Sequence, residues 1–444
     1  MKIISVSVGG FKNLRETRVL LSSLTAIVST NNYGKSNFLE AIDFGTDFLM
    51  ANPKERKNMM KWIRGIPINK KIANDRYRFE IEFEDEALGE YRFVKYGFEF
   101  VWYRDDGSGQ KIVDEWIEAR PTESVRYTSF LKRQEKKYRK EKATPSYRII
   151  NLSDDQLAID ILSAIDDIEI HDLICAIKSL DYHVCSSLDL RDRYQPMPIE
   201  YVDHQEDGSV AFDDRDVPRA LFKLKQYFPE KYNLFVEAIE TLFPEFVDIS
   251  VLPFEVRQNI SDVHIFSSES DGDVVPSEEL NEEKIPFKIR DEIYKVIISS
   301  RVLNQPIDMT MMSAGTKRII WLLANVFIAS SNNISLIGVE ELETSIHPKL
   351  LKNLLEILEE SLDNTSIIIS SHSPYLVQYF KPDRIYVGVP TEDGTALFKR
   401  VKTSKVKQLL NAARDFDMSV GEYLFELMAG DEDSAAILSF YLEG

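Results

Sequence analysis

The sequence predicts an α/β fold organised around a phosphate-binding loop, and two observations predict it. Near the N-terminus a buried apolar stretch, Leu24–Val28, runs into a turn-rich segment, residues 29–36, that closes with Gly34, Lys35 and Ser36. Phe38, Leu39 and Ile42 then fall on one helical face, so the loop sits between a strand and a helix. Far along the chain, residues 334–339, 366–370 and 384–389 form short apolar runs, the pattern of strands buried on both faces.

The remaining elements follow from local patterns. Ile3, Val6 and Val8 alternate with Ser and Gly, which reads as a strand. Residues 77–101 alternate apolar and polar side chains and predict a β-hairpin or meander. Residues 124–148 are polar and basic. Residues 154–190 and 218–243 have helical periodicity with acidic faces. Pro196, Pro198 and residues 203–216 read as a loop, and residues 267–284 as an acidic, exposed one. Ile319, Ile320, Leu323, Val326 and Phe327 make a helical stripe. Pro348 sits where a helix tolerates proline, and Leu350, Leu351, Leu354, Leu355 and Leu358 supply that helix with a core face.

Composition sets the outer limits. The 444 residues suffice for two or three domains with a full core. The formal charge of −19 argues against a broad electrostatic coat for nucleic acid, and it makes any basic cluster conspicuous. Only Cys175 and Cys185 are present, which excludes a disulfide framework and a cysteine-rich metal site and fits a reducing cytoplasm. The first 24 residues are broken by charges, unlike a signal peptide. No apolar run reaches the roughly 18 residues of a membrane span.

Four segments carry chemistry. In residues 29–36 backbone N–H groups can wrap phosphates, with a lysine for the outer groups and a hydroxyl for a metal ion. Ser29 occupies the place of the first glycine, and a tight turn there sets an expectation of reduced affinity. The strand at residues 336–339 ends in Glu340 and Glu341. Charges at a strand end need a cation or solvent nearby, although alone they could simply open an exposed loop. Ser313 and Gly315 stand before the helical stripe, where N–H groups and the helix dipole favour an anion, but Ser313 taken alone is an ordinary N-cap. His372 follows the strand at residues 366–370 and can reach a phosphate in a sheet crevice. A lone histidine there is more commonly structural.

In this order the segments resemble ABC-class AAA family ATPases, the group of RecF, SMC and overcoming-lysogenization-defect (OLD) proteins. Those families show GxNNxGKSN, LSxGxK, (D/E)E(P/I)E…LHP and THSP. This chain reads STNNYGKSN, MSAGTK, EELETSIHP and SHSP. The match is loose over residues 1–120 and good over 300–390. The resemblance implies a P-loop ABC-type ATPase head with an N-terminal β-rich lobe and a largely helical insertion. The implied boundaries are 1–120 and 291–400 for the two parts of the head, 121–290 for the insertion and 401–444 for a short acidic helical tail.

The same resemblance implies ATP and Mg²⁺ as ligands. Asn31, Asn32, Gly34, Lys35, Ser36 and Asn37 would form the nucleotide loop, with Lys35 on the β- and γ-phosphates and Ser36 on the metal. Glu340 would hold Mg²⁺, Glu341 would activate water and His372 would sense the γ-phosphate. Ser313 and Gly315 would contact ATP bound to a second subunit, which implies a homodimer or higher oligomer. Ser345 and His347 lie in the stretch that crosses that interface in relatives. The glutamine of the Q-loop has no counterpart between Lys35 and Gln110. Family members of this shape pair with a nuclease or toxin effector in bacterial anti-phage defence, and PARIS and Septu ATPases resemble this layout. The alternatives are a DNA-repair ATPase of RecF or SMC type and a scaffold that binds ATP with little hydrolysis.

Two charged regions lie outside the motifs. Residues 132–142 hold seven Lys or Arg with Tyr138 interleaved, which suits nucleic acid or an acidic partner and equally a solvated face. Residues 415–444 hold eight acids and no Lys or Arg. That tail is too short for a separate nuclease domain, and its apolar residues predict two short packed helices.

Overall fold

The computed structural model describes residues 1–135, 137–140, 148–149, 152–163, 168–185, 194, 199–201, 216–255, 287–289, 292–332, 334–389, 391 and 393–443. The chain divides into two compact units, Met1–Ser187 with Asn333–Gly444, and Leu188–Asn332. The loop expected at residues 203–216 lies outside the described residues apart from Asp216, and the acidic stretch 267–284 lies wholly outside them.

The first unit opens with β1 (Lys2–Gly9) and β2 (Thr17–Leu20), an antiparallel pair, and β3 (Leu24–Val28), buried along its length. The helix after the glycine-rich loop is α1 (Lys35–Met50), followed by α2 (Pro53–Met59). Asn52 and Glu55 close α2 with a reciprocal capping box. The alternating segment forms β4 (Tyr77–Glu84) and β5 (Phe93–Val101). The chain continues antiparallel through β6 (Lys111–Arg120), β7 (Thr128–Gln134), β8 (Lys137–Lys140) and β9 (Arg148–Ile149). These strands complete a sheet in the order β2-β1-β4-β5-β6-β7-β8-β9. Then come α3 (Ala158–Leu162), α4 (Ile168–Lys178) and β10 (Tyr182–Cys185).

The β-rich lobe therefore runs past residue 120. Phe130, Leu131 and Arg133 are buried while Lys132 and Gln134 are exposed, and Leu131 faces Ile117 of β6. Of the charges that read as a basic patch, Lys132 and Lys137 are exposed and Arg133 is buried; residues 136, 141 and 142 lie outside the described residues.

Helix α1 packs against β1 of the antiparallel sheet and against β10. Burial on both sides explains why Phe38, Leu39, Ala41, Ile42, Phe44, Phe48 and Leu49 are all in the core. Phe48 stacks on Phe100 with centroids 4.8 Å apart, and Tyr77 donates its hydroxyl to the Ala41 carbonyl at 2.6 Å. Buried Arg56 donates to the carbonyls of Phe48 and Leu49 at 2.8 and 2.9 Å, capping the C-terminal end of α1, and pairs with Asp160 of α3.

The second unit holds β11 (Ile199–Tyr201), α5 (Val217–Tyr227), α6 (Pro229–Leu242), β12 (Phe246–Glu255), β13 (Phe287–Ile289), β14 (Glu292–Ser300), β15 (Ile307–Asp308) and α7 (Ala314–Ser331). Strands β12, β14 and β15 form one antiparallel sheet, and β11 pairs with β13. The insertion thus carries sheets as well as the expected helices. Helix α7 packs against α5 and α6, with Phe327 edge-on to Phe235.

The first unit closes with β16 (Leu336–Glu340), α8 (Pro348–Ser361), β17 (Ser366–Ser371), α9 (Pro374–Val377), β18 (Ile385–Gly388) and β19 (Phe398–Arg400). The tail folds as α10 (Val406–Asp415), α11 (Val420–Ala429) and α12 (Glu432–Tyr441). The second sheet has the order β10-β16-β17-β3-β18-β19, parallel except for the β18–β19 pair. Strand β3 from the N-terminus thus lies between β17 and β18. Among the described residues no helix is long and apolar enough to cross a membrane.

Candidate nucleotide site

The site is built at the C-terminal end of the parallel sheet, where open α/β sheets place their crevices. Val28 at the end of β3 pairs with Ser371 of β17 and with Val387 of β18, and Glu340 at the end of β16 pairs with Ser370. The segments after β3, β16 and β17 therefore emerge side by side.

After β3 the loop turns through Asn32 at φ 58° and Gly34 at φ 128°. A side chain at Gly34 would be strained by φ and would meet the Ala396 Cβ at 2.8 Å. Gly34 is the N-cap of α1 and no side chain caps that end, so the first N–H groups of a 16-residue helix face the loop. Asn31, Asn32 and Ser36 are exposed beside them. Asn13 fixes the loop from outside: its amide donates to the Tyr33 carbonyl at 3.0 Å, and its Oδ1 accepts from the Asn37 amide at 2.8 Å. Asn37 is thus engaged with Asn13. Tyr33 donates its hydroxyl to the Val389 carbonyl and accepts from the Leu397 N–H at 3.2 Å, tying the loop to β18 and β19. Asn13 was not legible in the sequence, because it lies in an ordinary turn after β1.

Ser29 is buried, and it is not among the residues with positive φ. Its Cβ therefore meets no backbone penalty, which removes the physical reason for expecting the serine to weaken the loop. Lys35 is buried too, and its Nζ donates to the carbonyls of Ser29 and Thr30, both at 3.0 Å. Burial lowers the Lys35 pKa, and the carboxylates of Glu341, Glu343 and Glu340 oppose the shift. The ammonium and the three glutamates therefore share one electrostatic environment.

Glu341 continues the β16 ladder by donating its N–H to the Ser370 carbonyl at 2.9 Å, in a left-handed backbone with φ 46°. That turn sets its carboxylate beside His372, with Oε1 3.5 Å from Nδ1. Ser345 is also left-handed at φ 66°, and His347 caps α8 by accepting from the Lys349 N–H at 3.2 Å. The structure thus brings together the loop of residues 29–36, Glu340, Glu341 and His372. Ser313 and Gly315 belong to the second unit. There Ser313 is the N-cap of α7 and accepts from the Thr316 N–H at 3.2 Å. Gln110 donates its side-chain amide to the Lys57 carbonyl at 2.9 Å.

The donor set fits Mg²⁺ bound together with a nucleotide. That ion takes one or two protein oxygens and fills its octahedron with water and phosphate. Ser36, exposed in the first turn of α1, and Glu340, at the end of β16, offer a hydroxyl and a carboxylate of that kind, and no cluster of three or more His, Cys, Asp or Glu residues suited to a metal occurs among the described residues. The tail reaches the site through α11: a Cβ on Gly421 would lie 2.9 Å from the carbonyl carbon of Pro374, two residues after His372. A cavity of about 450 Å³ beside it is lined by Thr30, Pro374, Met418 and Phe425 among others.

A strand–loop–helix with an uncapped helix N-terminus, a lysine at the loop's end and carboxylates at the end of a strand two places along the same parallel sheet defines a phosphate-loop nucleotide-binding class. Residues 1–377 match the AAA ATPase domain model, and the chain belongs to that family. It is similar to the Smc head bound to the C-terminal winged-helix domain of ScpA, at 14% identity over 92% of this chain and 100% of that one, with a TM-score of 0.51. That likeness shows an SMC-head-like α/β fold. The SMC head domain from Thermotoga maritima matches at 12% identity over 91% and 100% of the two chains, with a TM-score of 0.41. The Smc head domain with an extended coiled coil, bound to the C-terminal domain of ScpA from Pyrococcus furiosus, matches at 13% over 93% and 99%, with a TM-score of 0.49. No curated protein matches the sequence.

Proposed function

We propose that the protein is an ATP-hydrolysing switch that dimerises around ATP and controls a partner effector. The observation that carries this reading is the convergence of Lys35, Glu341 and His372 at the ends of β3, β16 and β17. Lys35 exchanges its loop carbonyls for phosphate oxygens, and the N–H groups that open α1 bind the same anion. Glu341 takes a proton from the attacking water as general base, and His372 beside it contacts the transferred phosphoryl group. Ser36 and Glu340 would hold Mg²⁺, which would supply charge neutralisation on the phosphates.

Ser313 and Gly315 at the start of α7 would meet ATP held by a second copy, which makes the nucleotide part of a dimer interface. Helix α11, close against Pro374, offers a route from the switch segment to a partner bound on the tail. The Smc heads with bound ScpA are precedents for a head of this fold that holds a partner protein. We place the switch in bacterial anti-phage defence, with a nuclease or toxin as effector, on the resemblance of the motifs.

Steady-state ATPase assays on the wild type, Lys35→Ala and Glu341→Gln test the chemistry. Hydrolysis should fall by roughly 10²–10⁴-fold in Glu341→Gln. A wild type no faster than Lys35→Ala would leave a nucleotide-binding scaffold. Sizing of Glu341→Gln with and without ATP tests the dimer, and absence of dimers at micromolar concentration in both conditions rejects it. Stimulation of the ATPase by DNA would favour a repair enzyme.

A further inference from the structure

Glu343 had no role assigned by the motif reading, yet it is the most closely engaged carboxylate at the site. Its side chain is 10% exposed. Oε1 accepts the Ser371 hydroxyl proton at 2.6 Å and the His372 N–H at 3.3 Å. The Ser371 hydroxyl in turn accepts the Ser373 N–H at 3.0 Å. One carboxylate oxygen therefore gathers the polar groups where β17 ends and the chain turns into α9. The ring of His372 leaves from that clamped backbone, and among the described residues Glu341 and Glu343 are its acidic neighbours within 4.0 Å, at 3.5 and 3.9 Å.

The second oxygen, Oε2, is buried and has no hydrogen-bond partner among the described residues. An unpaired buried carboxylate oxygen costs stability, so the two hydrogen bonds that Oε1 accepts must offset that cost.

We propose that Glu343 is a positioning residue for hydrolysis. Its carboxylate holds the Ser371–His372 backbone so that the imidazole stays beside the general base Glu341. The proposal rests on the ATPase reading above, and its effect belongs on the chemical step, not on nucleotide capture.

The test compares Glu343→Ala, Glu343→Gln and Ser371→Ala in the full chain. Glutamine keeps one acceptor oxygen for Ser371 and His372, so Glu343→Gln should hold kcat within about threefold of wild type and be no less stable to heat. Glu343→Ala should lose at least about tenfold in kcat with the KM for ATP within about twofold, and Ser371→Ala should fall between them. Imidazole NMR of His372 gives a readout independent of turnover: Glu343→Gln reports the loss of one charge 3.9 Å from the ring, and the signals should move further in Glu343→Ala, where the clamp is lost as well. If Glu343→Ala does not fold, kcat and the His372 signals of Ser371→Ala decide. Unchanged kcat and unchanged His372 signals in Glu343→Ala or Ser371→Ala overturn the proposal. Loss of nucleotide affinity in step with kcat also overturns it. A wild type without ATPase activity counts against the ATPase reading alone, because the NMR comparison still reports on the clamp.

Discussion

A Cβ on Gly388 would stand 2.6 Å from the Cβ of Ser29 and 2.7 Å from the ring of Tyr33. The glycine at the end of β18 leaves the space into which the loop's first side chain fits. The serine in the first loop position and the glycine at the end of the adjacent strand are thus one packing solution. Gly388→Ala should overpack the loop and cost about 1–3 kcal/mol of stability. Ser29→Gly in the same chain should recover part of that loss. Denaturant midpoints of the two single variants and the double variant check this. Strict additivity would mean that Ser29 and Gly388 do not share the space.

Tyr33 should matter through its hydroxyl. It bridges the carbonyl of Val389 and the N–H of Leu397, and burial raises its pKa, so it stays a neutral donor at ordinary pH. Tyr33→Phe leaves both backbone groups short of a partner and should lose about 1–3 kcal/mol. Urea unfolding measures the loss. An unchanged midpoint would show that the bridge contributes nothing.

Arg56 joins α1 to α3. Its guanidinium serves two helix-terminal carbonyls and the Asp160 carboxylate while almost wholly buried. Arg56→Met should therefore cost about 3–5 kcal/mol, because it strands a partly buried acid as well as the carbonyls. Adding Asp160→Leu should return some of it. A single variant within about 1 kcal/mol of wild type, the size of an average point substitution, would contradict the assignment.

Stability should also depend on pH through Asp43. Burial raises its pKa to about 7, with Asp47 and Glu40 adding to the shift. An ordinary aspartate titrates near 3.9. Between those values the folded chain keeps a proton that the unfolded chain has released, so stability falls as pH rises through the window. At about 1.4 kcal/mol per unit the loss amounts to about 4 kcal/mol. Asp43→Asn should remove this component and exceed the wild type in stability at pH 8. Parallel pH profiles for the two proteins would refute it.

What was legible in the sequence was local. The loop of residues 29–36, the strand ending at Glu340 and the strand before His372 each carry their signature within a few residues, and the structure sets them at one sheet edge. What was hidden depended on distant partners. Residues 128–134 form a strand in which Lys132 is exposed while Arg133 is buried near Glu115 and Leu131 lies across from Ile117, so two adjacent charges that read as one basic patch serve opposite faces. Strand β10 has four residues, too few to show a period, and only its parallel pairing with β16 defines it. The roles of Asn13, Gly388 and Glu343 come from contacts across the fold, which spacing along the chain does not encode.

The place of β3 between β17 and β18 has a consequence for synthesis. At about 5–20 residues per second, a ribosome that has made β3 needs roughly 20–70 s to deliver both neighbours. Through that interval the apolar strand and the sheet-facing side of α1 have no completed parallel sheet to join. Nascent chains stalled before residue 366 should expose the phosphate loop to protease, whereas the released full-length protein protects it.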